Sequence, residues 1–184
     1  MNISWVVSDY YNPDPLLDLQ PLKNIGSIWG SWRTWRNCQT DNVICHDMKK
    51  AEELVRRNFQ TQCNFYLSNN TYQKLDRPAR VKIYEGEFVH DVYNQEEIVA
   101  MHLASVTSDI VLLLGFDFST DSKSADKITQ HRNYNYRSLT KQAIKDNIST
   151  QWVLIDHEHN LSDEYKELSN LTMDSLENVV KLLN

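Results

Sequence analysis

The sequence is poor in the residues that build several familiar sites. Its 184 residues hold four glycines, four prolines and three cysteines. No glycine-rich stretch ends in Gly-Lys-Ser/Thr and no Gly-x-Gly-x-x-Gly occurs, so neither a Walker A loop nor a dinucleotide fingerprint is present. Cys38, Cys45 and Cys63 are odd in number and form no Cys-x-x-Cys pair. They read as reduced thiols in a reducing compartment. No apolar run approaches the roughly 18 residues of a membrane span, and Met1-Asn2-Ile3-Ser4-Trp5 lacks the basic and apolar regions of a signal peptide. A cytoplasmic location without membrane attachment is therefore expected, and the Asn-x-Ser/Thr triplets at Asn2, Asn69, Asn147, Asn160 and Asn170 read as accidental. Basic residues are not in excess. The formal charge of −6 argues against a general nucleic-acid binder, which needs a basic face, and leaves room only for a local patch. There is no internal repeat and no Pro/Gly/Ser-rich linker, so residues 1–184 are expected to form one domain.

What remains is an ordinary globular composition, 41% apolar and 24% charged. A chain this long buries roughly 70% of the surface its unfolded form exposes and needs no disulfide or metal to stay folded. Short β-prone runs alternate with helical periods. Strands are expected at Ile3–Val7, Asn42–Cys45, Cys63–Leu67, Arg80–Tyr84, Asp109–Phe118 and Gln151–Ile155, with a last short one at Glu167–Leu171. Helices are expected at Lys49–Phe59, Thr71–Leu75, Gln95–Val106, Asn135–Asp146 and Asp174–Leu183, the last capped by Asp174 or Thr172. Residues 16–37, with Gly26 and Gly30, give only a faint helical signal. Ile110-Val111-Leu112-Leu113-Leu114 is continuously apolar, as a strand covered on both faces must be. The alternation predicts a Rossmann-like three-layer α/β domain with a mostly parallel sheet. In such sheets ligands bind at the carboxyl ends of strands. That directs attention to Ser8-Asp9, His46-Asp47, Ser68-Asn69, Gly115–Asp117 and Asp156-His157.

Four constellations follow. Gly115-Phe116-Asp117-Phe118 closes the apolar strand. Gly115 permits close approach by backbone or ligand, and Asp117 is placed to hold a ribose, a sugar hydroxyl or a metal. The plainer reading has Asp117 capping a loop and both rings in the core. His131-Arg132-Asn133-Tyr134-Asn135-Tyr136-Arg137 combines one possible general base with phenols and guanidiniums that suit phosphate or carboxylate. Its plainer reading is a solvated helix entry. Asp156-His157-Glu158-His159 sets two imidazoles on one face of an extended segment, a weak metal signal without a second cluster. Gly26–Arg36 brings Trp29, Trp32 and Trp35 together with Arg33 and Arg36. Trp faces stack on a base or sugar and Arg clamps phosphate, whereas the spacing of three equally suits a helix burying a Trp stripe. His46-Asp47 and His90-Asp91 read as solvated or capping pairs. His102 reads as a structural histidine within a helix, and the three thiols as inert.

The string Leu112-Leu113-Leu114-Gly115-Phe116-Asp117-Phe118 resembles the strand end of bacterial sialyltransferases and of related motility-accessory glycosyltransferases. Leu168-Ser169-Asn170-Leu171-Thr172-Met173-Asp174-Ser175-Leu176 is similar to their C-terminal strand, turn and helix. The resemblance covers about the last 80 residues. It implies an activated-sugar substrate, with His131, standing before a helix, as the base that deprotonates an acceptor hydroxyl, and Tyr134 and Tyr136 assisting the leaving phosphate. The family's N-terminal Gly-x-Gly-Pro-Ser loop is replaced by Val7-Ser8-Asp9-Tyr10-Tyr11. As a whole the chain also resembles small proteins of marine T4-like phages, which implies no activity, only a bacterial host cytoplasm.

The first expectation is thus a binder of a nucleotide or nucleotide-sugar, with Asp117 and His131 catalytic if it is an enzyme. Asp9, Trp32, Arg33, Asp47, Gly115, Tyr134, Tyr136 and Arg137 would hold the ligand, and neither a cofactor nor a resident metal is named. The second is a non-enzymatic accessory protein that meets a host protein through Trp29, Trp32 and Trp35. A metal-dependent hydrolase using Asp156, His157 and His159 is a third.

Overall fold

The computed structural model describes residues 1–8, 20–84, 95–116, 127–155 and 163–183, and only the backbone of residues 20, 21, 95 and 127–136. Eight strands form one sheet: β1 (Ile3–Val7), β2 (Ser27–Ser31), β3 (Asn42–Ile44), β4 (Asn64–Ser68), β5 (Val81–Tyr84), β6 (Ile110–Leu114), β7 (Gln151–Ile155) and β8 (Leu171–Asp174). The helices are α1 (Gln20–Lys23), α2 (Trp32–Cys38), α3 (Met48–Arg56), α4 (Asn69–Lys74), α5 (Gln95–Thr107), α6 (Lys127–Asp146), α7 (Asp163–Lys166) and α8 (Leu176–Leu183), with a 3-10 turn at Phe59–Thr61.

The strand order is β5-β4-β3-β2-β1-β6-β7-β8, and every adjacent pair is parallel. This is a Rossmann-like three-layer α/β fold, as the alternation of elements predicts. The chain builds outward from β1 to β5, returns through α5, and builds the other way from β6. The order therefore reverses between β1 and β6, where Ile3 pairs with Ile110 and Val7 with Leu114.

Strand alternation divides the core. Val6, Trp29, Ile44, Val111, Leu113, Trp152 and Leu154 face one side, under α5, α6 and Tyr165 of α7. Trp5, Val7, Ile28, Leu112 and Leu114 face the other, where Leu22 of α1 and Val179 of α8 cover them. On that same side Val43, Cys45, Phe65 and Leu67 lie under α2, α3 and the 3-10 turn. Successive residues of β1 and β6 thus enter opposite layers, the period-two pattern of a doubly covered strand. Asn170 is buried, and its side-chain amide donates to the carbonyls of Ile144, Asn147 and Thr150 at 3.1–3.3 Å.

Four local expectations need correction. Residues 27–31 are a strand, not part of a helix. A Cβ on Gly26 would stand 2.2 Å from the Ile3 carbonyl oxygen, so a glycine is required where β2 enters beside β1. The helix expected at Asn135 begins at Lys127, which puts His131 in its second turn rather than ahead of it. The last strand is Leu171–Asp174, not Glu167–Leu171, and Ser175 caps α8: its hydroxyl accepts from the Asn178 N–H at 3.2 Å. Asp174 supports that cap by accepting from the Ser175 N–H at 2.7 Å.

Candidate functional site

Because the sheet is all parallel, every strand delivers its carboxyl end to one edge. Ser8 follows β1, Ser31 ends β2, Cys45-His46-Asp47 follow β3, Ser68 ends β4, Tyr84 ends β5 and Gly115 follows β6. The Ser8 N–H donates to the Leu114 carbonyl at 2.9 Å, carrying the β1–β6 ladder one residue beyond the strand. Gly115 then has φ 78°, a left-handed conformation that glycine adopts without steric cost, so the chain turns sharply off the sheet edge there. Phe116 is buried in the core under α5 and α6.

The first turn of α5 supplies the most unusual groups. This helix crosses β3, β2, β1 and β6. Ile98, Val99, Ala100, Met101 and Ala104 are all buried, so it has no continuous solvent face here. Glu96 and Glu97, one turn earlier, are consequently buried too, at 4% and 0% exposure. Burying a carboxylate costs several kcal/mol unless charge-assisted hydrogen bonds replace its water. The Ser8 hydroxyl donates to Glu97 Oε1 at 2.9 Å. The His46 backbone N–H donates to Glu96 Oε1 at 2.8 Å, and Arg33 Nη1 donates to Glu96 Oε2 at 3.4 Å. The N-terminal position on a helix also favours negative charge. The two carboxylates therefore tie α5 to the ends of β1 and β3 and to α2.

The neighbouring groups are held as firmly. The Ser31 hydroxyl caps α2, accepting from the N–H of Arg33 at 2.9 Å and of Thr34 at 3.2 Å. Thr34 Oγ1 donates to the Val7 carbonyl at 3.4 Å, stitching α2 to the end of β1. The Tyr84 hydroxyl lies 3.3 Å from His46 Nδ1. Burial, then the Glu96 charge, hold the Tyr84 phenol well above its ordinary range. The same two causes, joined by Asp47, raise the Cys45 thiol. Both keep their protons near neutral pH. The edge thus holds two buried carboxylates beside hydroxyls and one half-exposed guanidinium, Arg33. That suits a ligand rich in hydroxyl groups. Among the described residues no group of three or more His, Cys, Asp or Glu could hold a metal.

The residues singled out from the sequence fall in several places. Arg33 joins the Glu96 cluster. Gly115 stands at the end of β6. Asp47 is exposed and its Oδ1 caps α3, accepting from the Lys50 N–H at 2.8 Å. Arg137 is half-buried on α6, and its carbonyl accepts from the Tyr165 hydroxyl at 2.9 Å. His131, Tyr134 and Tyr136 lie along the backbone of α6, with side chains outside the described residues; Asp9, Asp117, His90-Asp91 and Asp156–His159 lie outside them altogether. The three tryptophans do not form one stripe. Trp29 sits in β2, buried on the α5 side, 5.3 Å from the Tyr66 ring, and its indole N–H donates to Ser4 and Ser27. Trp32 and Trp35 are on α2, in the opposite layer. Arg33 lies 5.1 Å and Lys50 4.6 Å from the Trp32 ring centre.

Glu96, Glu97 and Tyr84 do not stand out in the sequence, and Ser31 and Thr34 do so only as part of the Gly26–Arg36 stretch. The signal for the two acids was legible: a helix apolar around its whole circumference is buried all round, so acids in its first turn are drawn inside with it. His102, by contrast, behaves as expected, half-buried with Nδ1 3.2 Å from Asn147 Nδ2. Among the described residues no helix is long and apolar enough to cross a membrane. Comparison of the chain with protein-family models, with curated proteins and with solved structures yields no match.

Proposed function

We propose that this chain binds a nucleotide or nucleotide-sugar at the carboxyl edge of its sheet, in the crevice between the ends of β1, β2 and β6. The observation that carries this reading is the coincidence of two features. The strand order reverses between β1 and β6, the point at which open parallel sheets take their ligands. The buried, hydrogen-bonded Glu96 and Glu97 lie at that same edge. Glu96 would accept from ribose or sugar hydroxyls, and Arg33 would meet a phosphate with its planar fork. If the protein is a glycosyltransferase-like enzyme, Asp117 and His131, which follow β6 in the chain, are its catalytic candidates, and His131 removes a proton from the acceptor hydroxyl.

A thermal-shift screen against nucleotides and nucleotide-sugars tests this. A ligand at about 100 times its dissociation constant adds about 2.7 kcal/mol, which raises the melting temperature by roughly 5–10 °C in a chain of this size. Arg33→Ala should remove that shift, and it should also lower the unliganded melt, because it takes a charge-assisted hydrogen bond from buried Glu96. His131→Ala should keep the shift and abolish transfer to an acceptor. A panel in which no compound moves the melt counts decisively against the reading.

A second reading is contact with a partner protein, a host protein if the chain is phage-encoded. It is favoured by a groove of about 430 Å³ between α2 and α3, walled by Trp32, Trp35 and Phe59 and edged by Arg36, Lys50 and Arg57. An acidic, aromatic-bearing segment fits it, and Trp32→Ala would weaken that contact.

A further inference from the structure

A second cleft, of about 590 Å³, lies at the opposite edge of the sheet, beside the amino ends of β3 and β4. Its walls come from Trp35 on α2, from Gln39 and Thr40 where that helix ends, and from Gln62 and Asn64 before and at the start of β4. Gln39 closes α2 in a left-handed conformation, φ 47°, with its N–H on the Trp35 carbonyl at 2.9 Å.

The charges in this cleft cancel. Lys23 Nζ pairs with Asp41 Oδ1 at 3.3 Å, and Asp41 Oδ2 accepts from the Ile28 N–H at 2.9 Å, so both carboxylate oxygens are engaged. Burial pushes the Cys63 thiol up to about 12, so it adds no anion. The groups with hydrogen-bonding capacity to spare are neutral. Asn64 spends its amide N–H on Asn42 at 3.0 Å and keeps an acceptor oxygen. The side-chain amides of Gln39 and Gln62 make no hydrogen bond among the described residues, and both side chains are exposed and able to swing. Thr40 is 2% exposed, and its hydroxyl has no hydrogen-bond partner among the described residues. An orphaned buried hydroxyl is a standing cost that a ligand hydroxyl would relieve. Trp35 is fixed edge-on against Phe59, ring centres 4.7 Å apart at 80°, and forms the apolar wall.

We propose that this cleft binds a neutral saccharide. Trp35 covers the C–H face of a sugar ring, and Thr40, Gln39, Gln62 and Asn64 exchange hydrogen bonds with its hydroxyls. Among the described residues a phosphate or carboxylate finds no unpaired cation here, and an apolar ligand would strand the amides. The site is separate from the nucleotide reading of the carboxyl edge and stands or falls independently of it.

The test is an NMR titration with maltose, cellobiose, lactose and N,N'-diacetylchitobiose, with inorganic phosphate and glucuronate as charged comparators. At least one neutral disaccharide should shift the Gln39, Gln62 and Asn64 amide signals and the Trp35 indole signal. Thr40→Val should weaken that binding about tenfold, the worth of one hydrogen bond, without lowering the melting temperature. Gln62→Ala, a surface change, should weaken it as well, and Arg33→Ala should not. The proposal is overturned if no disaccharide moves these signals, if both cleft variants bind like the parent, or if phosphate or glucuronate moves the same signals equally.

Discussion

Gly26 and His102 show how much single positions decide. Any side chain at Gly26 drives a carbon into the Ile3 backbone, with its C at 2.7 Å as well as its O at 2.2 Å. Gly26→Ala should therefore destabilise the fold by about 2–3 kcal/mol, the cost of overpacking against a backbone that cannot yield. Urea denaturation measures it; a change below the error of the midpoint would show that β1 and β2 can part. His102 is held below its ordinary range by burial, only partly offset by Asp146. The unfolded chain, with a histidine pKa of about 6.5, takes the proton first on acidification. Stability contributed by neutral His102 is thus complete above the unfolded value and is lost as pH falls from there through the lower folded value. His102→Gln should flatten that part of the melting-temperature profile relative to the parent; parallel profiles would show that His102 titrates as it does in the unfolded chain. These two residues also mark what the sequence does and does not disclose. A histidine inside an apolar helix is readable as structural. A glycine needed by a neighbouring strand is not, because its constraint comes from Ile3, far away in the chain.

At the scale of elements, α2 is the most exacting. It has seven residues, and Ser31, buried at the end of β2, satisfies two of its leading N–H groups. Ser31→Ala should cost about 1 kcal/mol, the usual worth of an N-cap, and lower the melting temperature by roughly 2–4 °C. A larger loss, recovered in Ser31→Asp, would show that the cap also sets the position of Arg33. The same stretch carries a misleading pattern. Trp29, Trp32 and Trp35 recur every third residue and imitate a helix. The true boundary falls between Ser31 and Trp32, inside the repeat, so that period-two and helical segments share one run of tryptophans. The strands β1, β3, β4, β5, β6 and β7 were legible because each is bounded by polar or turn-forming residues. The long α6 was legible only in its second half: Lys127–Arg132 carries little apolar periodicity, and Ser119–Lys127 before it reads as loop.

For the whole molecule, the fold class was legible in the single run Ile110–Leu114 and in the rhythm of the segments around it. The site was legible as a location, the carboxyl edge, more than as a set of side chains. Sequence points to residues that follow strands, whereas Glu96 and Glu97 arrive from a crossover helix whose placement depends on the return from β5 to β6. Because strands from β5 to β8 share one hydrogen-bonded sheet, with apolar side chains in both layers, the chain should lose its structure in one step. Trp5, Trp29 and Trp152 report on the interior. Their fluorescence and the far-ultraviolet circular dichroism should give coincident urea transitions, and two separated midpoints would show that the β2–β5 half melts alone.

The position of β1 has a further consequence, for the growing chain. Its five residues are made before those of the other described strands, yet one of their two hydrogen-bonding edges stays open until Ile110–Leu114 has been synthesised. On the ribosome the nascent chain therefore carries Trp5, Val6 and Val7 on an unpaired parallel edge for about a hundred residues of elongation. Such late, long-range closure is slow and leaves an apolar edge open to other chains. Yield in cells should then depend on how quickly β6 follows β1, through translation speed, temperature and chaperone supply.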